Sequence, residues 1–116
     1  QKSGYEAGQE IADWEQRPDA VFACNDYMAM GAMLAFQEAG IDVPEDIAVA
    51  GFDDITSARY ANPPLTTVRV PVYELGHRAG DRLVQRIQSG ESVAPETFKV
   101  SHELIVREST RRRVEA

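Results

Sequence analysis

Residues 20–54 read AVFACNDYMAMGAMLAFQEAGIDVPEDIAVAGFDD, and the pattern of this stretch decides the fold. It contains two short, uninterrupted apolar runs, residues 20–24 and 47–52, which are typical of strands buried on both faces of a sheet. The helix-forming residues between them, Tyr27 to Ala39, end at Gly40 and predict a helix. A strand, a helix and a second strand make a βαβ unit, so we expect an α/β fold with a parallel sheet.

Further elements are predicted on both sides of this unit. Upstream, apolar residues spaced two to four apart predict an amphipathic helix that stops near Pro18; its apolar positions are Tyr5, Ala7, Ile11, Ala12 and Trp14. Asp26 is expected to cap the helix that begins at Tyr27. Downstream, the patterns predict a strand over 65–70, a helix over 73–88 closed by Gly90, and a strand over 103–106.

Charge and composition argue against nucleic-acid binding by this chain and indicate the compartment in which the protein works. The 116 residues correspond to one domain in length, and their net charge of −7 argues against nucleic-acid binding by this chain alone. The charge is uneven, since residues 1–56 carry 12 acidic and 2 basic side chains, whereas residues 57–116 carry 7 and 10. A single cysteine, Cys24, fits a reducing compartment and predicts a cytoplasmic protein. The arginines at 111–113 are interpreted as a frayed tail.

Two polar positions follow the strands of the βαβ unit and form the candidate binding site. Ligands bind beyond the carboxyl ends of parallel strands, where Asn25-Asp26 and Asp53-Asp54 lie. Asn25 and Asp53 could therefore face one crevice, where an amide and a carboxylate would hold the hydroxyls of a polyol. The alternative is that these residues only cap helices, which is the commoner role of Asn and Asp before a helix.

Catalytic and metal-binding patterns are absent from the sequence. There is no glycine-rich phosphate loop, no G-x-S-x-G and no H-E-x-x-H. His77 and His102 have no partner at metal-ligand spacing, and Cys24 is interpreted as a small core residue. Asp53 and Asp54 are adjacent, so their carboxyl groups are expected to diverge rather than act as an acid–base pair. We therefore expect neither a metal nor a cofactor, and no enzymatic activity.

Several stretches resemble the lactose-repressor/galactose-repressor (LacI/GalR) family of transcriptional regulators over essentially the whole chain. The matching segments are residues 18–32 (PDAVFACNDYMAMGA), 39–55 (AGIDVPEDIAVAGFDDI), 63–68 (PPLTTV), 74–76 (ELG) and 103–110 (ELIVREST). Their order and spacing also match. The combination of GFDD, PPLTTV and VREST distinguishes this family from periplasmic sugar-binding proteins of the same fold.

The resemblance implies a type I periplasmic-binding-protein-like fold, of which this chain supplies mostly the C-terminal lobe. It implies that residues 1–67 belong to that lobe, 68–95 to the crossover and a helix of the N-terminal lobe, and 96–110 to the returning strand. The helix-turn-helix DNA-binding head of the family is absent from this chain, so DNA would be bound only through that missing head. Many family members carry a glutamine where this sequence has Val70, which removes one expected cleft hydrogen bond.

The resemblance also assigns roles to individual residues. The family's cleft aspartate falls on Asp53 and its cleft asparagine on Asn25, which implies binding of a sugar or related small-molecule effector. The family's homodimer interface falls on Met30, Met33, Leu34 and Tyr60; the alternative for the methionines is ordinary core packing. Two other functions remain open, namely a sugar-binding protein of a transport system and a carbohydrate-active enzyme.

Overall fold

The computed structural model describes residues 1–90 and 94–112. Its helices and strands, in chain order, are α1 (Lys2–Ala12), β1 (Ala20–Phe22), α2 (Asp26–Glu38), β2 (Ala48–Ala50), α3 (Thr56–Arg59), β3 (Thr67–Arg69), α4 (Val72–Ser89) and β4 (Glu103–Ile105), followed by a 3-10 turn (Glu108–Thr110). The chain forms two compact units, one of residues 1–69 with the chain from Leu104 onward, the other Val70–Glu103. The division into lobes and crossover that the sequence predicts stays a prediction.

The predicted βαβ unit is confirmed. β1 and β2 pair in parallel, with Ala20 opposite Ala48 and Phe22 opposite Ala50. Beyond β2, isolated parallel bridges join Ala50 to Thr66 and Asp53 to Arg69, and β3 pairs with β4. The loop after β2 therefore lies beside the segment that leads into β3.

The core of the first unit lies between α2 and the strands. Its largest fully buried apolar side chains are Phe36, Ile47, Val49 and Leu65. The prediction that the first strand is buried on both faces is wrong, because Phe22 is 65% exposed. Of the strands that the structure describes, only β2 pairs with β1, so β1 has the environment of an edge strand.

α1 packs against α2 through glycines rather than through large apolar side chains. A Cβ atom at Gly4 would collide with the backbone of Met28, and one at Gly31 with the carbonyl of Gln1. The buried positions of α1 are Gly4, Gly8 and Ala12, one per turn, which allows the two backbones to approach closely. The predicted apolar face was therefore wrong for Ala7 and Trp14, both of which are exposed.

The first helix also ends five residues before Arg17, earlier than predicted. The Arg17 side chain donates two hydrogen bonds to the Ala12 carbonyl, from Nε at 3.1 Å and from a terminal nitrogen at 2.8 Å. A carbonyl in the last turn of a helix lacks an intrahelical partner, and the guanidinium supplies one. The break follows from this contact as well as from Pro18.

The C-terminal segment of the first unit is held by hydrogen bonds that the sequence did not reveal. The interpretation of the arginine run as a frayed tail is wrong for Arg112. Its side chain donates to the carbonyls of Pro44 (3.1 Å) and Asp19 (2.6 Å), which lie before β2 and β1. Arg113 lies outside the described residues. Arg112 therefore fixes the end of the described chain to the start of the sheet.

The second unit consists of α4 and the segment after it. α4 ends at Gly90, whose φ of +65° suits a glycine, and none of its residues is buried within the unit. Arg82 donates to the Ala94 carbonyl at 2.7 Å, and the Arg78 guanidinium lies 5.7 Å from the centre of the Phe98 ring. No helix in the described part of the chain has the length and apolar character needed to cross a bilayer.

Candidate effector site

Asp26 holds both ends of the loop that follows β2. Its backbone N–H donates to the Phe52 carbonyl at 3.0 Å, and its carboxylate accepts from the Ile55 N–H at 2.9 Å. The other carboxylate oxygen accepts the hydroxyl of Thr67 at 2.6 Å, and Asp26 is completely buried. Gly51 is required here, since a Cβ at this position would collide with the Asp26 carboxylate. The prediction of Asp26 as a helix cap was therefore wrong, because its side chain is committed to this loop.

The two residues between those anchor points have an unusual backbone. Asp53 has a φ of +114° and Asp54 a φ of +52°, conformations that are uncommon outside glycine. Two hydrogen bonds hold them, one from the Asp53 N–H to the Val68 carbonyl (2.9 Å) and one from the Asp54 N–H to the Thr67 hydroxyl (3.2 Å). Backbone strain of this kind persists only where the surroundings impose it, and it concentrates at functional sites.

The carboxylates of Asp53 and Asp54 have opposite environments. Asp53 is exposed, and its carboxylate has no hydrogen-bond or ion-pair partner among the described residues. Asp54 is 10% exposed, and its two oxygens accept separately from Arg107 (2.9 Å) and from Nε of Arg69 (2.8 Å). Burial raises the pKa of Asp54, but the hydrogen bonds and charges of the two arginines outweigh it and hold that pKa below its usual value. Of the three aspartates around this loop, Asp26, Asp53 and Asp54, only Asp53 has an uncommitted carboxylate among the described residues.

Asn25 is the capping residue of α2. Its side-chain oxygen accepts from the Met28 N–H at 2.9 Å, so this oxygen caps the helix, which is the role that the sequence left open as the alternative to ligand binding. Its position still matches that of Asp53, because Asn25 lies three residues beyond Phe22 and Asp53 three beyond Ala50, and these two strand residues are paired. Both residues therefore follow the carboxyl ends of neighbouring parallel strands. The capping bond leaves the amide nitrogen of Asn25 as the donor that a ligand could use.

The residues assigned to a dimer interface fall into two groups. Met33 is 6% exposed and belongs to the core, which is the alternative that the sequence left open for it; we therefore correct its assignment. Leu34 and Tyr60 are 50% and 76% exposed, and Met30 is partly buried against the core. Cys24 was expected in the core and is exposed instead. No cluster of His, Cys, Asp or Glu in the described ranges could hold a metal ion.

The residues around the loop that sequence reasoning missed are Thr67, Arg69 and Arg107. Thr67 lies in the PPLTTV segment and Arg107 in the VREST segment, so both fall in stretches that carry the family resemblance. The resemblance flagged these stretches without giving the side chains a role. The contact of Thr67 with Asp26 and that of Arg107 with Asp54 join residues that are 41 and 53 positions apart in the chain.

Comparison with known proteins identifies the family. The model of the periplasmic binding protein-like domain matches residues 1–110. The HTH-type transcriptional repressor PurR of Edwardsiella ictaluri is 46% identical over 93% of this chain. The chain spans 31% of that relative's length, about a third.

Solved structures give the same result. A putative LacI-family transcriptional regulator from Sanguibacter keddieii is 42% identical with a TM-score of 0.83; the match covers 94% of this chain and 40% of that one. The complex of the transcriptional regulator CelR with cellobiose is 41% identical with a TM-score of 0.82, covering 93% of this chain and 33% of that one. The chain thus belongs to the periplasmic-binding-protein-like domain family, and it is similar to part of transcriptional regulators of the LacI type.

Proposed function

We propose that this chain senses a hydroxyl-bearing effector, a sugar or a related molecule, for a regulator whose operator binding the effector modulates. The observation that supports this most is the carboxylate of Asp53. It is exposed and unpartnered on a loop whose backbone is held by four hydrogen bonds, whereas the neighbouring carboxylates of Asp26 and Asp54 are both engaged.

The chemistry of Asp53 suits a ligand with two adjacent O–H donors. A carboxylate accepts two hydrogen bonds in nearly fixed directions, and bonds to an ionised acceptor are shorter and stronger than neutral ones. Because the loop is already ordered, the ligand does not have to order it, which reduces the entropic cost of binding. The bound cellobiose of the CelR complex supports a saccharide as the ligand class.

A regulator is favoured over a transport protein or an enzyme. The relatives similar to this chain are named as transcriptional repressors. A bound ligand would favour one of two conformations of the effector-binding domain and so alter how DNA-binding heads engage an operator. In this proposal the regulator works in the cytoplasm, where DNA is accessible. A transport-type sugar-binding protein remains the alternative, and a secretion signal in the complete protein would identify it.

The test is a substitution that removes only the charge of Asp53. Asn tolerates positive φ and keeps the shape of the side chain, so Asp53→Asn is expected to fold normally. In the intact regulator that contains this chain, calorimetric titration with cellobiose, sucrose and glucose should show at least one ligand whose affinity falls 30-fold or more, about 2 kcal/mol, in the variant.

The matched control is Asp46→Asn. Asp46 is also exposed, and its carboxylate accepts one hydrogen bond from the Asp42 N–H, but it precedes β2 and so lies away from the carboxyl ends of the strands. Asp46→Asn should leave the affinity for each of the three sugars unchanged.

A purine base offers N–H donors and no hydroxyl pair. Binding of the base, with none of the sugars bound, would refute the effector class. Equal sugar affinity in Asp53→Asn and the parent would refute the site.

We also propose that the regulator is a homodimer in which Met30, Leu34 and Tyr60 contribute to the interface. Half or more of the surface of Leu34 and of Tyr60 is exposed, and exposed large apolar groups are enriched at protein interfaces. Met30→Glu and Leu34→Glu should each shift the intact regulator from dimer to monomer in sedimentation equilibrium. Gln37→Glu, a charge added at another exposed position of α2, should not. An unchanged dimer in both of the first two variants would remove this surface from the interface.

A further inference from the structure

We propose that Asp54 is a positioning residue that joins the effector loop, residues 52–55, to both of the chain segments that connect the first unit to residues 70–103. This inference rests on the proposed role of Asp53 and deepens it. Asp54 does not touch the effector in this scheme. Its carboxylate is used by two arginines, one from each connecting segment.

The positions of the two arginines in the chain carry the argument. Arg69 is the last residue of the first unit before the chain continues into the second, and Arg107 follows the return of the chain at Leu104 by three residues. Nε of Arg69 lies 2.8 Å from one oxygen of Asp54, and a terminal nitrogen of Arg107 lies 2.9 Å from the other. One carboxylate therefore holds the outgoing and the returning segment at the same point.

Burial makes this junction stiff. The side chains of Asp54 and Arg107 are only 10% and 13% exposed, so water screens their attraction weakly. Arg107 is anchored further, since its guanidinium donates to the Leu65 carbonyl at 3.0 Å and its N–H donates to the Thr66 hydroxyl at 2.8 Å. The Arg69 side chain is 55% exposed, so Arg107 is the partner that has few alternative positions when Asp54 is displaced.

The effector loop has little freedom to absorb a displacement on its own. Asp53 and Asp54 are adjacent, both have positive φ, and the loop is held at Phe52 and at Ile55 by Asp26. A ligand that pulls on the Asp53 carboxylate therefore acts on the backbone of the next residue, whose side chain holds both connecting segments. Asp54 would convert ligand contact into a bias on those segments, which is the differential interaction that coupling requires.

The first test needs no ligand and uses amide hydrogen exchange, resolved at single amides, of the intact regulator that contains this chain. If Asp54 couples the two connecting segments to the effector loop, Arg69→Gln and Arg107→Gln should each increase the exchange rates of the Asp53 and Ile55 amides at least fivefold. All rates are taken relative to the amide of Ile41, which is hydrogen-bonded to Phe36 at a distance from the loop and reports general opening. In the Asp54→Asn background the same arginine substitutions should add less than twofold.

Arg112→Gln is the matched control, since Arg112 also donates to backbone carbonyls from the C-terminal segment but has no contact with Asp54 among the described residues. It should leave the relative exchange of Asp53 unchanged. Unchanged exchange in both Arg69→Gln and Arg107→Gln, or equal acceleration with and without Asp54, would overturn the proposal. If Asp54→Asn fails to fold, the two single arginine variants and the control still decide it.

The second test separates this proposal from that for Asp53. In the intact regulator, with cellobiose or another saccharide bound by the parent, Asp54→Asn should keep the ligand affinity within threefold while reducing the ligand-dependent change in operator affinity at least fivefold. A loss of stability alone would not produce that split. If Asp53→Asn leaves sugar binding unchanged while the exchange result holds, the proposed function fails and the junction at Asp54 stands.

Discussion

The hydroxyl of Ser109 is inserted between two strands of the first unit, and its removal should be strongly destabilising. Oγ of Ser109 donates to the Val49 carbonyl at 2.6 Å and accepts from the Thr66 N–H at 2.8 Å. These two backbone groups belong to neighbouring parallel segments. Ala50 and Thr66 form a direct bridge between the segments, in which the Gly51 N–H donates to the Thr66 carbonyl. The serine hydroxyl thus completes the hydrogen bonding at this point of the sheet.

Ser109→Ala would leave one buried donor and one buried acceptor without a partner. Each such group costs about 1–3 kcal/mol, and partial closure of the gap would recover some of the sum. Ser109 and Val49 have no exposed surface and Thr66 is 4% exposed, so water cannot readily replace the hydroxyl. We therefore expect a loss of about 3 kcal/mol in the free energy of unfolding, which corresponds to a fall of about 12 °C in Tm for a chain of this size.

The assay is urea denaturation followed by circular dichroism, with Tm measured in parallel. Ser57→Ala is the control, because Ser57 is exposed in α3 and its hydroxyl has no partner among the described residues; its effect should stay within about 0.5 kcal/mol. A loss below about 1 kcal/mol in Ser109→Ala would show that the strands can pair without the hydroxyl, and the structural interpretation of the VREST segment would fail.

Three further predictions follow from other contacts. Gly4→Ala should lower the free energy of unfolding by about 1–3 kcal/mol because its Cβ meets the Met28 backbone, whereas Gly80→Ala, which faces open space, should raise the helix content seen by circular dichroism. Since the pKa of Asp54 is lowered on folding, its ionised form stabilises the protein above the unfolded-state pKa of about 3.9. The difference in free energy of unfolding between the parent and Asp54→Asn should therefore stay constant from about pH 7 to 5 and become smaller below about pH 4. A difference that grows in acid would contradict the contacts of Asp54. The 116-residue chain should self-associate in light scattering because β1 pairs with β2 alone among the described strands, and a monodisperse 12.8 kDa monomer at high concentration would contradict this.

The elements that depend on local pattern were predictable. The helix expected over 27–39 is observed as α2, Asp26–Glu38, because a run of Ala, Met and Leu bounded by Asn25 and Gly40 carries its propensity and both of its end signals within 16 residues. The parallel pairing of β1 and β2 followed from the connection between them, since a helical crossover returns the chain in the same direction. Helix α4 was likewise predicted to within one residue at each end.

The buried faces were less predictable. In α1, the glycines at 4 and 8 carry no hydrophobic signal, and only the presence of α2 turns them into the contact surface. In β1, the apolar run predicted two covered faces, whereas Phe22 is exposed. Whether a residue is buried depends on the element that packs against it, and the sequence pattern of one segment does not specify that element.

The candidate site shows the same division. Sequence and resemblance placed Asn25 and Asp53 after consecutive strands, which parallel pairing turns into equivalent positions at one edge of the sheet. They did not separate the roles of the three aspartates, because Asp26, Asp53 and Asp54 differ only in partners that come from distant parts of the chain.

The helices and strands, their order and the family could thus be predicted from the sequence. They depend on residues within about one helical turn of each other or on the connection between strands. Which carboxylate stays uncommitted was decided only when folding brought Thr67, Arg69 and Arg107 beside the loop after β2. The physical reason is that a hydrogen bond or ion pair depends on distances of about 3 Å between atoms, and such distances between remote residues are set by the packing of the whole unit.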